Sequence, residues 1–266
     1  MEWLQIIVLS LIQGLTEFLP VSSSAHLILP TLLSDWPDQG LAFDIAVHVG
    51  SLLAVLAYFR SEMAQFAISG TRLLTQRRYD EHTELLLKIV VATLPVVIVG
   101  YFLKGWVESE LRSVAVIAAA SIVFAVALWW ADRQRGQIDQ PSWMQTLMIG
   151  SAQVLAIVPG ASRSGVTITA ALLLGLSRTS AARFSFLLSI PTISGAALLA
   201  TLDLLDAGES ARWPELAVGT ALAGLCAYAC IHYFIALVER TGMMPYVIYR
   251  LLLGAGLVGF LLCSGI

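Results

Sequence analysis

Charged residues are scarce in this chain of 266 residues: Asp, Glu, Lys and Arg together make up 12%. A soluble domain carries roughly twice that share. Hydrophobic residues make up 58% of the chain, and the mean hydropathy is +0.82. The composition therefore excludes an ordinary soluble domain and indicates a protein that lies in the lipid bilayer.

The chain also has few cysteines, no excess of positive charge and no features of a signal peptide at its start. The three cysteines, Cys226, Cys230 and Cys263, lie in apolar runs. Cys226 and Cys230 share a helix face, but two thiols do not make a zinc site, so we expect small packing residues. A net charge of −3 offers no basic surface to nucleic acid. Without a basic stretch or a small-residue cleavage site before Gln13, the start is expected to be retained structure rather than a signal peptide.

Six segments are apolar over a length that can cross a bilayer, which takes about 20 residues. They are residues 43–60, 86–104, 113–131, 181–203, 215–238 and 246–264. Residues 3–34 and 144–178 are apolar too, but a proline and a polar stretch interrupt each of them in the middle. Each half is too short to cross. Both regions are therefore predicted to be pairs of short helices that enter and leave on the same side.

The order of these segments predicts an all-α polytopic membrane protein with an inverted repeat. Each broken pair precedes three spans, in repeat one (about 1–131) and repeat two (about 144–266), and together they form a single membrane domain. Since three is odd, the second repeat enters the bilayer from the opposite face. A site is then expected near the midplane, where the broken helices meet.

The charges in the loops predict the orientation, because cytoplasmic loops carry an excess of Lys and Arg. On this basis both termini face the periplasm and the site opens to it. One set of loops has eleven cations: Arg60, Arg72, Arg77, Arg78, Lys88, Arg133, Arg135, Arg178, Arg183, Arg240 and Arg250. The other set has three, Lys104, Arg112 and Arg212, among the acids Glu108, Glu110, Asp203, Asp206 and Glu209.

The polar stretches Gln13–His26 and Pro159–Thr167 have the residue types that bind and cleave a phosphate. Serines after each proline are typical of a helix start, where free N–H groups and the helix dipole attract anions. Arg163 adds a planar cation suited to phosphate oxygens, and two glycines would let a ligand approach the backbone. The predicted binding residues are Gln13, Ser22, Ser24, Gly160, Ser162, Ser164, Gly165 and Thr167. The alternative is that the serines only cap helices and that Arg163 only pairs with Glu17.

Candidate acid–base groups lie in the first stretch. Gln13 and Glu17 share a helix face, and Glu17 could be a general base or hold a cation that bridges phosphate oxygens. His26 could be an acid–base group or a nucleophile, or simply a hydrogen-bonded core residue. Asp44 and His48 are four residues apart and could line the cavity, but Asp44 is expected instead to cap the span that begins there, and His48 to support the site from behind. The predicted catalytic residues are Glu17, Ser23, His26 and Arg163.

Together, Gln13–His26 and Pro159–Ile168 resemble the paired signatures of the bacterial undecaprenyl-diphosphate phosphatases, the bacitracin-resistance membrane family. Phe43–Phe59, Phe184–Ala196 and Ile248–Arg250 are similar to this family too, so the resemblance covers nearly the whole chain. It implies an inner-membrane enzyme with an inverted repeat and two re-entrant helix pairs. It also implies hydrolysis of undecaprenyl diphosphate to the monophosphate, which recycles the lipid carrier of peptidoglycan synthesis and confers bacitracin resistance.

The family's Glu/Gln-x-x-x-Glu motif falls on Gln13 and Glu17, its Ser-Ser and His on Ser22, Ser23 and His26, and its Pro-Gly-x-Ser-Arg-Ser-Gly on Pro159–Gly165. Because the first motif position is Gln13 here, Glu17 is the only sure carboxylate of the pair. This weakens a two-carboxylate site for a divalent cation, Mg²⁺ or Ca²⁺, which stays an expectation.

Two further alternatives stay open at this stage. The attacking group could be Ser23, His26 or water, with Glu17 steering the proton. A transporter that flips undecaprenyl phosphate is the rival function, because an inverted repeat with a midplane anion site is also transporter architecture. Glycines 254, 256 and 259 allow close helix contact, either within one subunit or in a homodimer.

Overall fold

The computed structural model describes residues 2–33, 36–111, 113–207 and 212–264, and this part of the chain is helical. Six of its helices are long and apolar enough to cross a membrane. All six correspond to the predicted spans. The complete helix list is α1 (Trp3–Thr16), α2 (Ser23–Leu33), α3 (Leu41–Tyr58), α4 (Arg60–Gln76), α5 (Glu81–Glu110), α6 (Val114–Asp132), α7 (Trp143–Ala152), a 3₁₀ turn (Gln153–Ile157), α8 (Arg163–Leu173), α9 (Arg178–Ala207), α10 (Trp213–Thr241) and α11 (Met244–Ser264).

Helix α4 was not predicted. Its sequence is mostly polar, and Phe66 and Ser69 are its buried residues. Ser69 donates a hydrogen bond to Asp80 at 2.9 Å and so joins α4 to the start of α5. The Asp80 carboxylate also accepts from the backbone N–H and hydroxyl of Thr83, both at 2.8 Å. These hydrogen bonds, the backbone one first, lower the pKa of Asp80 below its ordinary value.

Four short helices lie among the long ones. At about 1.5 Å per residue, α1 and α2 are roughly 21 and 16 Å long, too short to cross about 30 Å of hydrocarbon. Close helix contacts hold α1 and α7 in place: a Cβ on Gly14 would lie 2.6 Å from Ala223 O of α10, and one on Gly150 would lie 2.4 Å from Ala92 O of α5. Helix α8 is buried along most of its length although it carries three hydroxyl residues. The short helices therefore bring polar groups into the interior.

The outer surfaces of the long helices carry exposed apolar side chains, such as Ile98, Val123, Leu198, Leu225 and Leu252. The main core cluster is inside and is built around Phe18, Phe186 and Phe234. Such an arrangement, apolar outside as well as inside, suits a chain surrounded by lipid. Gly254 packs against α6, where a Cβ would lie 2.5 Å from Ile122, whereas a Cβ on Gly256 or Gly259 would meet no atom within 4 Å.

Arg250 contradicts the predicted loop assignment. It was counted among the cytoplasmic loop cations, but it lies inside α11 and has 0% exposure. Removing it leaves ten cations on that side against three. Arg112 and Glu209 lie outside the described residues, as do the side chains of Lys104, Glu108, Glu110, Asp203 and Asp206.

Candidate active site

The two interrupted regions meet through two turns of similar shape. Ser22 and Ser162 stand in the left-handed region of backbone conformation, with φ of 75° and 71°. Each serine hydroxyl lies 3.2 Å from the hydroxyl two residues later, Ser24 in the first turn and Ser164 in the second. A non-glycine residue in this region costs roughly 1–3 kcal/mol, and such strain is concentrated at functional sites.

Glu17 is the centre of the polar cluster and is 7% exposed. Its Oε2 accepts hydrogen bonds from Ser23 Oγ at 2.6 Å and from Gln13 Nε2 at 3.1 Å. Its Oε1 accepts from Arg163 Nη2 at 2.8 Å. The carboxylate of the first turn is thereby joined to the guanidinium of the second, across 146 residues of sequence. The pairing of Glu17 with Arg163, which the sequence analysis gave as the alternative to ligand binding, is present, and Ser23 joins it.

Arg163 is the first residue of α8, and its side chain is 12% exposed. Its second terminal nitrogen, Nη1, donates to Ser185 O at 3.2 Å, and the guanidinium lies 5.8 Å from the centre of the Phe18 ring. Ser162 caps α8, because its hydroxyl accepts from Gly165 N at 3.1 Å. These contacts fix the cation at a helix N-terminus, where an anion is stabilised by both the charge and the free N–H groups.

A cavity of about 380 Å³ opens beside this cluster. Its polar wall contains six of the predicted residues: Glu17, Ser22, Ser23, Ser24, Ser162 and Arg163. Its remaining wall is mostly apolar and comes from α3, α5, the 3₁₀ turn and α9: Leu41, Ile45, Val96, Ala156, Ile157, Ile193, Ala196, Ala197 and Ala200. A site of this kind can hold a charged group at one end and an apolar chain along the other side.

The other predicted binding residues do not line this cavity. Ser164 donates to Leu19 O at 2.8 Å, and Thr167 bonds to Ser185 Oγ at 2.7 Å, so both brace the turns from behind. The space beside Gly160 is filled by α6, since a Cβ there would lie 2.7 Å from Ile117 O. A Cβ on Gly165 would lie 2.8 Å from the Arg250 guanidinium. Close packing thus explains why both positions are glycine. Their contact with a ligand stays a prediction.

His26 is not among the residues that line the cavity. Its Nδ1 lies 2.7 Å from Ser22 O and must donate to it, because a carbonyl only accepts. Its Nε2 is hydrogen-bonded to the Tyr249 hydroxyl, and the two rings stack with centres 5.6 Å apart. Both ring nitrogens are therefore engaged with α11 and the backbone, and none of the described contacts links His26 to Ser23 or Glu17.

His48 and Asp44 line the cavity, which the sequence analysis gave as the alternative to a capping and a supporting role. His48 Nε2 lies 3.8 Å from Glu17 Oε2, while its Nδ1 donates to Asp44 O at 2.7 Å. The expectation that Asp44 caps α3 is wrong: the helix begins at Leu41, with Gly40 at the N-cap position, so Asp44 lies one turn in. The spacing of four that places Asp44 and His48 on one helix face was the available signal.

Arg250 is the functional candidate that the sequence reasoning missed. Its guanidinium donates to Pro20 O at 3.2 Å and to Gly160 O at 2.7 Å, one carbonyl from each turn. It also donates to Ser121 O and Ala120 O of α6, at 3.3 and 3.4 Å. All four of these hydrogen bonds go to carbonyl groups. An arginine within an apolar span was a signal for a buried role, but its position near the start of the span favoured a loop.

A divalent cation does not fit the donors as they are arranged. Within the described residues no three His, Cys, Asp or Glu side chains form a group that could hold a metal ion. Both oxygens of Glu17 already accept hydrogen bonds, from Arg163 on one side and from Ser23 and Gln13 on the other. We therefore derive no step through a cation, and its requirement stays a prediction.

A larger cavity of about 1070 Å³ lies at the other end of α9. Two of the arginines that line it are paired with carboxylates: Arg178 with Asp132 at 2.6 Å and Arg183 with Glu62 at 2.7 Å. It contains none of the predicted site residues. We assign the chemistry to the smaller cavity, because only that one joins a carboxylate, hydroxyls and a cation at two helix starts.

The fold and this site define a polytopic helical membrane protein with a buried cluster of a carboxylate, hydroxyls and an arginine. Comparison with known proteins gives the particular family. The chain belongs to the family described as bacitracin resistance protein BacA, whose model matches residues 6–256. It is 51% identical over 263 residues to an undecaprenyl-diphosphatase of Hahella chejuensis, covering 98% of this chain and 99% of the relative. An undecaprenyl-diphosphatase of Alteromonas mediterranea is 50% identical, with the same coverage.

Proposed function

We propose that this protein hydrolyses undecaprenyl diphosphate to undecaprenyl phosphate and phosphate in the bacterial inner membrane. This reaction recycles the lipid carrier of peptidoglycan synthesis and confers resistance to bacitracin. Identity of about half over nearly the whole chain to two undecaprenyl-diphosphatases supports the activity. The observation that carries the chemistry is the hydrogen bond of 2.6 Å from Ser23 Oγ to Glu17, whose other oxygen is held by Arg163.

In the proposed reaction Ser23 is the nucleophile. A hydroxyl attacks phosphorus when an adjacent base takes its proton, and Glu17 is hydrogen-bonded to Ser23 Oγ. The bond between Oγ and the terminal phosphorus forms, the bridging P–O bond breaks, and undecaprenyl phosphate leaves. Arg163 and the free N–H groups at the start of α8 would stabilise the charge on the transferred phosphoryl group. Attack by His26 or by water remains the alternative.

His26 is the weaker candidate for the nucleophile. An attacking imidazole needs a free ring nitrogen that faces phosphorus, but both nitrogens of His26 are hydrogen-bonded away from the cavity, to Ser22 O and Tyr249. His48 is better placed to act on the carboxylate, because its Nε2 faces Glu17 at 3.8 Å. We therefore propose that His26 holds α2 against α11 and that His48 adjusts the charge of Glu17.

The apolar wall of the cavity suits the isoprenyl chain of the substrate. Small residues of α9, Ala196, Ala197 and Ala200, face this space together with Ile45 and Val96. With the diphosphate between the two turns, the chain would lie along this wall and continue into the bilayer. The preferred chain length is a separate question that competition among shorter isoprenyl diphosphates would answer.

We propose the inverted repeat with two re-entrant pairs as the arrangement in the membrane. The packing supports it: α1 packs on α10 and α7 on α5, as a two-fold relation between the halves requires. The cavity lies beside the start of α3 and the middle of α9, and from the loop charges we expect the start of α3 to face the periplasmic side. Cysteines at positions 77 and 135 should label only from the cytoplasm and one at 212 only from outside. Labelling of 77 and 212 from the same side would contradict this orientation.

Phosphate release by the purified protein in detergent tests the activity. The wild type should release phosphate from undecaprenyl diphosphate, whereas Glu17→Gln should lose about 10²–10⁴-fold of the rate, the usual contribution of a general base. Because the amide has the shape of the carboxylate, gel filtration should show the same folded species. Absence of release from the wild type would favour the rival transport of undecaprenyl phosphate, since detergent leaves no second compartment. Chelation, followed by Mg²⁺ or Ca²⁺, tests the predicted cation in the same assay.

A further inference from the structure

A second buried glutamine lies behind the cavity wall. Gln153 stands nine residues before Ser162, as Gln13 stands nine residues before Ser22. Both glutamines are 0% exposed, and each has one amide atom without a hydrogen-bond partner, Nε2 in Gln153 and Oε1 in Gln13. Gln13 uses its other atom to hold Glu17, four residues later. The residue four after Gln153 is Ile157, so Gln153 has no carboxylate to hold.

The side chain of Gln153 contacts Thr192 of α9. Thr192 Oγ1 lies 3.4 Å from Gln153 Oε1, and the same hydroxyl donates to Leu188 O at 2.8 Å. The single hydroxyl hydrogen goes to the shorter contact. Since the two ends of an amide are interchangeable in such a contact, its nitrogen can donate to Thr192 instead. In either orientation half of the amide stays unpartnered, which is unfavourable for a buried polar group.

A buried amide of this kind is expected to bind something in the working enzyme, because nearly all buried polar groups are hydrogen-bonded. Thr192 lines the same cavity as Ser23, Glu17 and Arg163, whereas Gln153 stands directly behind it. A bound water needs about two to four polar partners, and the amide and the Thr192 oxygen supply two. In the hydrolysis of GTP, a glutamine side chain orients the attacking water through its amide group in a comparable way.

We propose that Gln153 and Thr192 together position the water that hydrolyses phosphorylated Ser23. The water oxygen forms a bond to phosphorus, and the bond between phosphorus and Ser23 Oγ breaks. Glu17 gives Oγ the proton that it took in the first step and receives one proton from the water. The products are hydrogenphosphate and free Ser23, after which Glu17 releases its proton to solvent. Gln153 is thus a positioning residue, and this inference rests on the proposed function.

The test compares water with a second acceptor. In Gln153→Leu, kcat for phosphate release should fall about tenfold or more, as expected for a lost water-orienting hydrogen bond, while KM stays the same. With methanol present, part of the phosphoryl group goes to methanol, and the ratio of methyl phosphate to phosphate should rise several-fold over that of the wild type. Thr146→Val is the matched control: Thr146 is also buried on this segment with an unpartnered oxygen, but it does not line the cavity. Its product ratio should equal that of the wild type.

If Gln153→Leu does not fold, Thr192→Val should show the same change in the product ratio, and Thr192→Ser should restore the wild-type ratio. A normal ratio in a folded Gln153→Leu or Thr192→Val variant overturns the inference. So does a loss of rate that follows the melting temperature alone, since that indicates a structural role. Failure of the wild type to release any phosphate would instead overturn the proposed function, and the inference with it.

Discussion

The turn at Pro20–Ser24 and the turn at Pro159–Ser164 share several backbone features but carry different side chains. Both place a serine at positive φ and a second hydroxyl 3.2 Å away, and both give one carbonyl to Arg250. At the next position the first turn carries Ser23 and the second carries Arg163. A similar turn thus occurs twice, once beside the hydroxyl that we propose as the nucleophile and once beside the cation that we propose to bind the phosphate.

The comparison predicts that removing the reactive hydroxyl of the first turn has the largest effect. Ser23→Ala should lower phosphate release by about 10⁴-fold or more, as for loss of an attacking group. Rapid quenching of the wild type should trap an alkali-labile, acid-stable phosphoserine that is missing from this variant. Ser61→Ala is a matched control, because Ser61 makes a similar hydrogen bond of 2.7 Å to Glu62 outside the site. Recovery of acid-labile phosphohistidine would instead identify His26 as the nucleophile.

Replacement of Arg163, the cation of the second turn, should have the second largest effect on activity. Arg163→Lys should lose about 10²-fold of the activity or more, because a single ammonium cannot hold Glu17 and Ser185 O while it binds phosphate oxygens. The control is Arg178→Lys, which alters a similar arginine–carboxylate pair away from the cavity. It should keep its turnover. Turnover near that of the wild type in Arg163→Lys would remove this residue from the active site.

Replacement of Arg250, which contacts both turns, should lower turnover less than the changes above. It should clearly lower the stability of the fold. Arg250→Met leaves four carbonyl groups without the guanidinium, so the variant should melt at a lower temperature, with a loss of roughly 1–3 kcal/mol or more. Arg212→Met should leave the melting temperature unchanged, because Arg212 is 67% exposed and pairs only with Glu215. Equal melting curves for the two variants would show that Arg250 does not hold the turns.

The smallest effect is expected at Tyr249. Tyr249→Phe removes one hydrogen bond from His26 but keeps the stacked ring, so turnover should fall by about tenfold or less. Leu252→Phe, an exposed change on the same helix, serves as the reference. A loss as large as that of Ser23→Ala would mean that the protonation of His26 takes part in the reaction and that the two turns are not its only chemical centres.

The spans were predictable because a run of about twenty apolar residues is stable mainly inside a bilayer. The pairing of Glu17 with Arg163 was foreseen only as an alternative, because two charges in apolar surroundings can be there for each other or for a ligand. The direction of His26 was not predictable, since its partner Tyr249 is 223 residues away. Arg250 was assigned to a loop because charge near the end of a span normally marks its boundary. Helix α4 was missed because it buries too few apolar residues to produce a pattern.

The contact between Arg250 and the first turn can form only late in biosynthesis. Its partner Pro20 O is made 230 residues earlier, so the first turn must exist without its clamp until nearly the whole chain has been synthesised. At roughly 5–20 residues per second, that interval is about 10–50 s. During this time the short helices α1 and α2 rest on a bundle that lacks α11. The last span to enter the bilayer is therefore the one that completes the first turn, and a chain truncated before Arg250 would keep the chemical groups of the site without the contact that joins them.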